Sequence, residues 1–315
     1  MAWQTPLDKE KTMKRILIVI SLLTTLFTST AAFAQDTPNP VRIAVIDTGI
    51  STVAIDSSRI IEGYNYIRPV DGTEDKIGHG TAIAGILVGS EAAEAEGICP
   101  NAVLVPLVYA TKDEMGKTIK GDTSMVAQAI YDAVDVYACD IINISSGSTS
   151  DSKSLRNAAA YAEEKGVLVV SSAGNSNLYR PQDIYYPGAY DTVLCVGSVN
   201  SDGTVSPFSQ RGNMIDILAP GSNLQVVSIR GKKIRAFGTS YSTAYVTAAA
   251  AKLLEQNPGL TPEELRQILC SSARDIEEPG FDPDSGWGIL DLTAVSILKR
   301  PDIDRSLRLR RGYDR

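Results

Sequence analysis

The chain of 315 residues is predicted to be an α/β protein, with a doubly wound, mostly parallel sheet, helices on both faces and a single domain. Two observations predict this fold class. Short, almost continuously apolar runs recur along the chain, which is typical of strands that are covered on both faces. Longer segments of helical character separate these runs, and strands that alternate with helices favour a parallel sheet.

The apolar runs give the predicted strands. The first run, residues 41–46, is broken only by Arg42 and ends at Asp47. By the same pattern we expect four further strands, at residues 102–109, 140–145, 166–172 and 192–199.

The remaining elements follow from other local signals. Residues 224–237 are predicted to form a hairpin. An alanine-rich segment after Ser240 predicts a helix buried in the middle of the domain, and Pro258 ends it. A capping box from Thr261 to Glu264 starts one more helix. Between the strands, helices are predicted over residues 81–88, 123–138 and 152–165.

The N-terminal part has the pattern of an export signal. Lys14 and Arg15 precede an apolar run, residues 16–27, that is too short to span a bilayer, and Ala32-Phe33-Ala34 is a small-residue cleavage site. Residues 1–34 are therefore predicted to be a signal peptide of the Sec type, and residues 1–12 are interpreted as a mis-assigned start. We expect a periplasmic or extracellular protein with no membrane anchor in the mature chain.

The mature chain is predicted to have three parts. Residues 35–40 form a short N-terminus without a prodomain, and residues 41–299 form one domain, since no linker or repeat divides them. Residues 300–315 form an arginine-rich tail without apolar periodicity. This tail is expected to be disordered, with contact to an anionic surface as the alternative.

Charge and cysteine content bound the partners. The chain has 30 basic and 37 acidic residues, and 26 and 35 remain after the predicted signal, so an acidic body argues against nucleic acid as a partner. Export permits disulfides, and Cys99 and Cys139, which each precede a predicted strand, are the favoured pair. Cys195 lies within a predicted strand, where a free packed thiol is an equal alternative. None of the four cysteines, which include Cys270, has the spacing of zinc ligands.

One imidazole limits where acid–base chemistry can occur. His79 is the only histidine of the chain, and histidine is the side chain that titrates near neutral pH. Glycines 78 and 80 flank it and would let a substrate backbone approach closely. Ligands of a doubly wound sheet bind beyond the carboxyl ends of its strands, where polar residues stand in this sequence: Asp47, residues 145–147 and residues 173–175.

Four short motifs resemble those of the subtilisin-like serine peptidases, the subtilases of peptidase family S8. Residues 45–49 (Val-Ile-Asp-Thr-Gly) resemble the aspartate motif, 78–81 (Gly-His-Gly-Thr) the histidine motif, and 238–240 (Gly-Thr-Ser) the nucleophile motif. Residues 172–175 (Ser-Ala-Gly-Asn) resemble the segment of the oxyanion asparagine. The chain order Asp, His, Ser also distinguishes this family from other folds with the same triad.

The resemblance implies a serine endopeptidase that acts through an acyl-enzyme. Its catalytic residues would be Asp47, His79 and Ser240, with Ser240 as nucleophile, His79 as base and Asp47 orienting the imidazole. The Asn175 side chain and the Ser240 backbone N–H would stabilise the oxyanion. A catalytically impaired relative that binds peptides is the alternative. An α/β-hydrolase esterase is disfavoured, since its nucleophile turn needs glycine where Ser242 stands.

The resemblance also implies how substrate would be held. An extended peptide would add as a strand to Ser145, Ser146 and Gly147, and also to residues 119–121. Tyr185 falls where the family shapes its main side-chain pocket, and we expect it to make that pocket shallow or aromatic-edged. A monomer acting on protein or peptide substrates is expected.

The sequence departs from the family at residues 241–245 and in the loop that binds calcium in well-known relatives. The Tyr-Ser-Thr-Ala-Tyr run after Ser240 lacks the proline and second histidine that many relatives have. Residues 90–97 carry Glu91, Glu94 and Glu96 but not an asparagine-rich calcium loop. We interpret these acids as a solvated face and predict no metal and no cofactor, with calcium as the alternative.

Overall fold

The computed structural model of the chain describes residues 39–297. The predicted signal peptide and the arginine-rich tail lie outside the described residues. The fold described below belongs to the unit that begins at Pro40.

A seven-stranded sheet forms the centre of the protein, and every strand in it is parallel to its neighbours. The predicted fold class is confirmed, and the five strands predicted from apolar runs are all present in this sheet. In spatial order its strands are β11 (Ile217–Pro220), β10 (Val193–Val199), β9 (Leu168–Ser172), β8 (Ile141–Ile144), β1 (Arg42–Asp47), β5 (Val103–Val108) and β2 (Tyr64–Asn65).

Between residues 39 and 297, three two-stranded antiparallel hairpins lie outside this sheet. The hairpin predicted over residues 224–237 is one of them and is confirmed. The hairpins are β3 (Gly89–Ser90) with β4 (Ala95–Glu96), β6 (Ala110–Lys112) with β7 (Thr118–Lys120), and β12 (Leu224–Val227) with β13 (Lys233–Ala236).

Six α-helices accompany the strands in the described part of the chain. Five of them agree with the predicted helical segments to within a few residues, and the capping box of Thr261 and Glu264 is present. The sixth, at Leu292–Ile297, was not predicted. The helices are α1 (His79–Val88), α2 (Thr123–Asp135), α3 (Lys153–Glu164), α4 (Thr239–Gln256), α5 (Pro262–Ser271) and α6 (Leu292–Ile297).

The apolar strand sequences are explained by burial of both faces of the sheet. Along β1, Ile43 and Val45 belong to one core cluster, and Ala44 and Ile46 belong to the other. Because successive side chains of a strand point to opposite faces, a strand between two cores must be apolar at every position. Helices α1, α4 and α5 contribute to the first core, and α2 and α3 contribute to the second.

Helix α4 crosses the first core, and its composition fits that place. The side chains of residues 248–251, all alanine, are fully buried. Small side chains let the helix lie close to the sheet, as predicted from the alanine-rich sequence.

The predicted disulfide between Cys99 and Cys139 is wrong. Both are free, buried cysteines, and they belong to different core clusters on opposite faces of the sheet. Burial raises the pKa of each thiol to about 12, because the thiolate would lose its hydration. Within residues 39–297, no helix has the length and apolar character needed to cross a membrane.

Candidate active site

A cleft of about 740 Å³ lies beyond the carboxyl ends of β1, β8 and β9, where the sheet topology places a ligand. All eight residues predicted for the site line this one cleft. They are Asp47, His79, Ser145, Ser146, Gly147, Asn175, Tyr185 and Ser240.

Asp47 is the last residue of β1, and its side chain is only 2% exposed. The Thr48 backbone N–H donates to its Oδ1 at 2.8 Å. His79 Nδ1 lies 2.8 Å from Oδ1 and 2.9 Å from Oδ2. A carboxylate only accepts hydrogen bonds, so Nδ1 carries the proton and Nε2 of the neutral ring is left as an acceptor.

His79 begins helix α1 directly after Gly78, which has a φ of 111° that favours glycine. Gly80 lies so close to Gly49 that a Cβ at this position would overlap the Gly49 carbonyl oxygen. The two glycines therefore bring α1 onto the end of β1. The histidine side chain remains 30% exposed, so its outer edge is open to the cleft.

The pKa of His79 lies above the ordinary value for histidine, as a net result of opposing causes. Burial lowers it, because the imidazolium loses hydration. The charge of Asp47 and its hydrogen bond raise the pKa, as does the charge of Asp75, while Lys120 lowers it. The two carboxylates together outweigh burial.

Asp75 is a buried residue of this site that sequence reasoning missed. Its side chain is 4% exposed and accepts four hydrogen bonds at the start of α1. Oδ1 accepts from the N–H groups of Ile77 and Gly78, both at 2.8 Å. Oδ2 accepts from Thr81 N–H at 3.0 Å and Thr81 Oγ1 at 2.7 Å. An acid four residues before the lone histidine, at the start of a predicted helix, was the available signal.

Ser240 lies in the first turn of α4 with 8% exposure. Its Oγ donates to the Ser145 carbonyl oxygen at 3.0 Å, and Ser145 Oγ donates to the Ser240 carbonyl oxygen at 2.9 Å. No hydrogen bond joins Ser240 to His79 among the described residues. The structure thus brings Asp47 and His79 into direct contact and places Ser240 in the same cleft with its hydroxyl on another acceptor.

The residue after the serine reaches the imidazole. The ring of Tyr241 lies against His79, with centroids 5.7 Å apart and a tilted arrangement. Tyrosine therefore occupies the neighbourhood of the base in the segment where this sequence departs from many relatives.

A series of buried hydrogen bonds, from Thr247 through Asn143, holds the Ser145 side chain. Asn143 is fully buried, donates through Nδ2 to Ser145 Oγ at 3.0 Å and accepts from Thr247 Oγ1 at 3.0 Å. Sequence reasoning did not single it out. The signal was a lone polar residue in the otherwise apolar strand β8.

Asn175 follows β9, and its amide orientation is fixed by Thr239. Oδ1 accepts from the Thr239 N–H at 2.8 Å and from Thr239 Oγ1 at 3.0 Å. A backbone N–H can only donate, so the oxygen must face it, and the donor Nδ2 is left to the cleft. The Ser240 N–H lies in the first turn of α4, where the helix has no carbonyl four residues earlier to accept from it.

The segment after β8 forms one wall of the cleft. Ser146 is half-buried and Gly147 is exposed. Ser148 and Tyr186 exchange two backbone hydrogen bonds, at 3.0 and 2.9 Å. On the facing side, Lys120 and Gly121 at the end of β7 line the same cleft. The predicted binding edges therefore border the cleft from two sides.

The acidic loop of the calcium alternative lies away from this cleft. Glu91, Glu94 and Glu96 belong to the β3–β4 hairpin and its turn. Among the described side chains, no group of three His, Cys, Asp or Glu residues is placed to hold a metal ion. The prediction of no metal and its calcium alternative both remain untested.

The parallel sheet carries an aspartate, a histidine and a serine in one cleft at its strand ends. This arrangement is typical of α/β proteins with a serine-hydrolase type of site. The chain belongs to the subtilase family, since residues 39–288 match the Peptidase_S8 family model.

Individual relatives agree with this family. The chain is 33% identical over 257 residues to the minor extracellular protease Epr of Bacillus subtilis (strain 168), covering 81% of this chain and 38% of the relative. It is 34% identical over 241 residues to an alkaline protease of Alkalihalobacillus alcalophilus, covering 76% and 60%. With subtilisin Savinase of Lederbergia lenta it shares 33% identity over 241 residues, covering 76% and 86%. The chain thus spans 38% and 60% of the length of the first two relatives, which is less than two thirds in both cases.

Solved structures of similar fold include two proteases. Fervidolysin from Fervidobacterium pennivorans, described as a keratinolytic enzyme related to subtilisin, superposes with a TM-score of 0.73 at 26% identity, covering 83% of this chain and 43% of that one. A lanthipeptide protease superposes with a TM-score of 0.68 at 28% identity, covering 81% and 86%.

Proposed function

We propose that this protein is a serine-type endopeptidase that hydrolyses peptide bonds of protein or peptide substrates through an acyl-enzyme. One observation carries the proposal: the only imidazole of the chain is hydrogen-bonded to a buried carboxylate and opens into a cleft that Ser240 also lines. Membership of the subtilase family supports it.

The base is prepared by its partner. With the Nδ1 proton held by Asp47, Nε2 of His79 has a free lone pair for the Ser240 hydroxyl. Ser240 Oγ donates to Ser145 O in the structure, so the hydroxyl must redirect its proton from this carbonyl to Nε2. A peptide N–H that takes the Ser145 carbonyl would favour this exchange, because the carbonyl keeps a donor.

The reaction then has two halves. Ser240 Oγ bonds to the peptide carbonyl carbon while its proton passes to His79 Nε2, and the C–N bond breaks as the imidazolium protonates the leaving amine. Water attacks the resulting ester with His79 again as base. The C–Oγ bond breaks, and the proton returns to Ser240. Asp47 stabilises the imidazolium in both halves.

The developing oxyanion needs donors that are already in place. Asn175 Nδ2 and the Ser240 backbone N–H are the two groups of the cleft that fit this role. Thr239 holds the amide in the required orientation, so the donor does not have to reorganise during the reaction.

We also propose that the protein acts outside the cytoplasm as a monomer. The export pattern of residues 13–34 supports this location, and the name of one relative, a minor extracellular protease, agrees with it. Mass spectrometry of mature N-termini in periplasmic and culture fractions tests the location, since cleavage after Ala34 is expected.

A peptide-binding protein without catalysis is the second candidate. It is favoured by a single observation, the Ser240 hydroxyl that donates to Ser145 O and not to His79. Under this reading peptides would bind in the cleft and remain intact.

One experiment separates the two. A serine-directed fluorophosphonate is expected to label the wild type but not Ser240→Ala, and casein is expected to be cleaved by the wild type alone. Thr243→Ala, which alters another hydroxyl of α4, is the matched control and should still be labelled. A wild-type protein that is folded by circular dichroism but neither labelled nor active would rule out the endopeptidase.

A further inference from the structure

The Tyr185 ring fills the space between the segments that follow β8 and β9. A Cβ built on Gly174 would lie 2.5 Å from Cδ2 of this ring, and a Cβ built on Gly147 would lie 3.3 Å from Cδ1. Opposite edges of the ring thus rest directly on two glycine backbones. No side chain larger than hydrogen fits at Gly174 while the ring stays in this position.

Both ends of the tyrosine are held. Its hydroxyl lies 2.9 Å from Ser176 Oγ, which lies 3.3 Å from Oε1 of the fully buried Gln210. Gln210 Nε2 donates to the carbonyl oxygens of Arg180 and Asp183, at 2.8 and 2.7 Å. On the main chain, Tyr186 is paired with Ser148 by two hydrogen bonds. The ring is therefore part of the built wall of the cleft.

The reacting peptide must place one side chain at this same position. Its carbonyl has to lie within reach of both Ser240 Oγ and Asn175 Nδ2, and its backbone runs along residues 145–147. The residue that supplies the carbonyl then lies between the segment after β8 and the segment after β9. Its side chain points into the gap between them, which the Tyr185 ring already occupies.

We propose that Tyr185 is the specificity-determining residue of this protein and restricts the residue on the N-terminal side of the cleaved bond to glycine, alanine or serine. This inference rests on the proposed endopeptidase function. Aromatic and long aliphatic side chains would overlap the ring, and the ring is kept in place by Ser176 and by the Tyr186–Ser148 pairing.

Matched peptides test the proposal. They share one sequence and differ only in the residue before the cleaved bond, which is Ala, Leu or Phe. The wild type is expected to cleave the Ala peptide with a kcat/KM at least ~10-fold above that for Phe, since a pocket that lacks room for a side chain discriminates at this level or better. Tyr185→Gly opens the gap and should abolish or reverse this preference. Tyr185→Phe keeps the ring, loses only the hydroxyl contact and should retain the preference for Ala.

A second readout keeps the pocket and the chemistry separate. The same peptides are bound to Ser240→Ala and to the Ser240→Ala/Tyr185→Gly double variant, and affinity is measured by fluorescence anisotropy. The Ala peptide should bind more tightly than the Phe peptide to the first, and this order should be lost in the second. Fluorophosphonate labelling of Tyr185→Gly shows that the variant is folded, and Tyr185→Ala replaces it if labelling fails.

The outcomes are distinct. If the wild type neither cleaves nor is labelled, the proposed function fails, and the binding order in Ser240→Ala still decides the role of Tyr185. If Phe is accepted as well as Ala by the wild type, or if Tyr185→Gly leaves the preference unchanged, the assignment of Tyr185 is overturned.

Discussion

Two halves of the cleft are held in different ways. The base half consists of Asp47, Asp75 and His79 around the start of α1, and buried carboxylates fix it through charged hydrogen bonds. The nucleophile half consists of Ser145, Asn175 and Ser240 around the start of α4, and neutral hydroxyl, amide and carbonyl groups fix it.

The two halves differ in how easily their hydrogen bonds can be exchanged. Charge-assisted hydrogen bonds are stronger than neutral ones, and a buried carboxylate is costly to leave unpaired. The base half is therefore complete before substrate arrives. In the nucleophile half, Ser240 Oγ shares an acceptor that a peptide N–H can also use, so its neutral bonds can be exchanged at low cost. Substitutions in the base half and in the nucleophile half test this difference separately.

The largest effect is expected from Asp47→Asn in the base half. The amide keeps the shape but can donate to Nδ1, so the proton moves to Nε2 and the base lone pair faces away from Ser240. We expect kcat to fall about 10⁴-fold, the loss known for the equivalent change in a serine protease. Steady-state kinetics on the Ala peptide measure it. A kcat within tenfold of wild type would contradict the assigned tautomer.

The next effect is expected from Asn175→Ala in the nucleophile half. Removal of the equivalent donor in subtilisin, a member of this family, costs about 10²–10³ in kcat, and we expect the same range with a nearly unchanged KM. Asn177→Ala is the matched control, because that side chain donates to Pro207 O instead. Equal losses in both variants would show a general disturbance of this segment.

The smallest effect on rate is expected from Asp75→Asn, which sharpens the comparison within the base half. His79 must be neutral to act as base, and Asp47 and Asp75 raise its pKa, so activity should be lost on acidification at a pH above the ordinary histidine pKa. Removing the Asp75 charge lowers the pKa of His79, and the acid limb of the pH–rate profile should shift to lower pH.

The same variant loses the acceptor for Thr81. Leaving buried donors unpaired costs ~1–3 kcal/mol, which denaturant unfolding measures. Thr81→Val removes part of the same bonding without changing charge and is the control. It should destabilise the protein while leaving the acid limb in place. An acid limb of Asp75→Asn that coincides with wild type would show that Asp75 acts through structure alone.

The sequence alone was sufficient to predict those strands whose residues are determined by burial on both faces. The β1, β5, β8, β9 and β10 strands lie between two cores and are apolar at nearly every position, so their runs were visible. Strand β11, which was not predicted, has only four residues, and one of them is Pro220. Its place at the sheet edge depends on pairing with β10, which no local pattern encodes.

Contacts between distant segments were less accessible. The motifs predicted that Asp47, His79, Asn175 and Ser240 share one site. The acceptor of the Ser240 hydroxyl could not be predicted, because it is a backbone carbonyl and has no sequence signature. The Cys99–Cys139 prediction failed because both precede strands, and that position does not say which face of the sheet a side chain meets. The Tyr185 ring could be placed near the pocket, whereas its fit against Gly147 and Gly174 required the structure.

The interior position of β1, between β8 and β5, determines the order in which the sheet can be completed during translation. This strand leaves the ribosome before the others, yet its neighbours are β5 and β8, and Ile43 pairs with both Leu104 and Ile141. Until Ile144 has been synthesised, one edge of a strand that is apolar from Ile43 to Ile46 stays unpaired. Such an edge can capture other chains, so a nascent protein halted before this point is prone to aggregate. Both edges of the aspartate-bearing strand are thus paired only after nearly half of the chain has been synthesised.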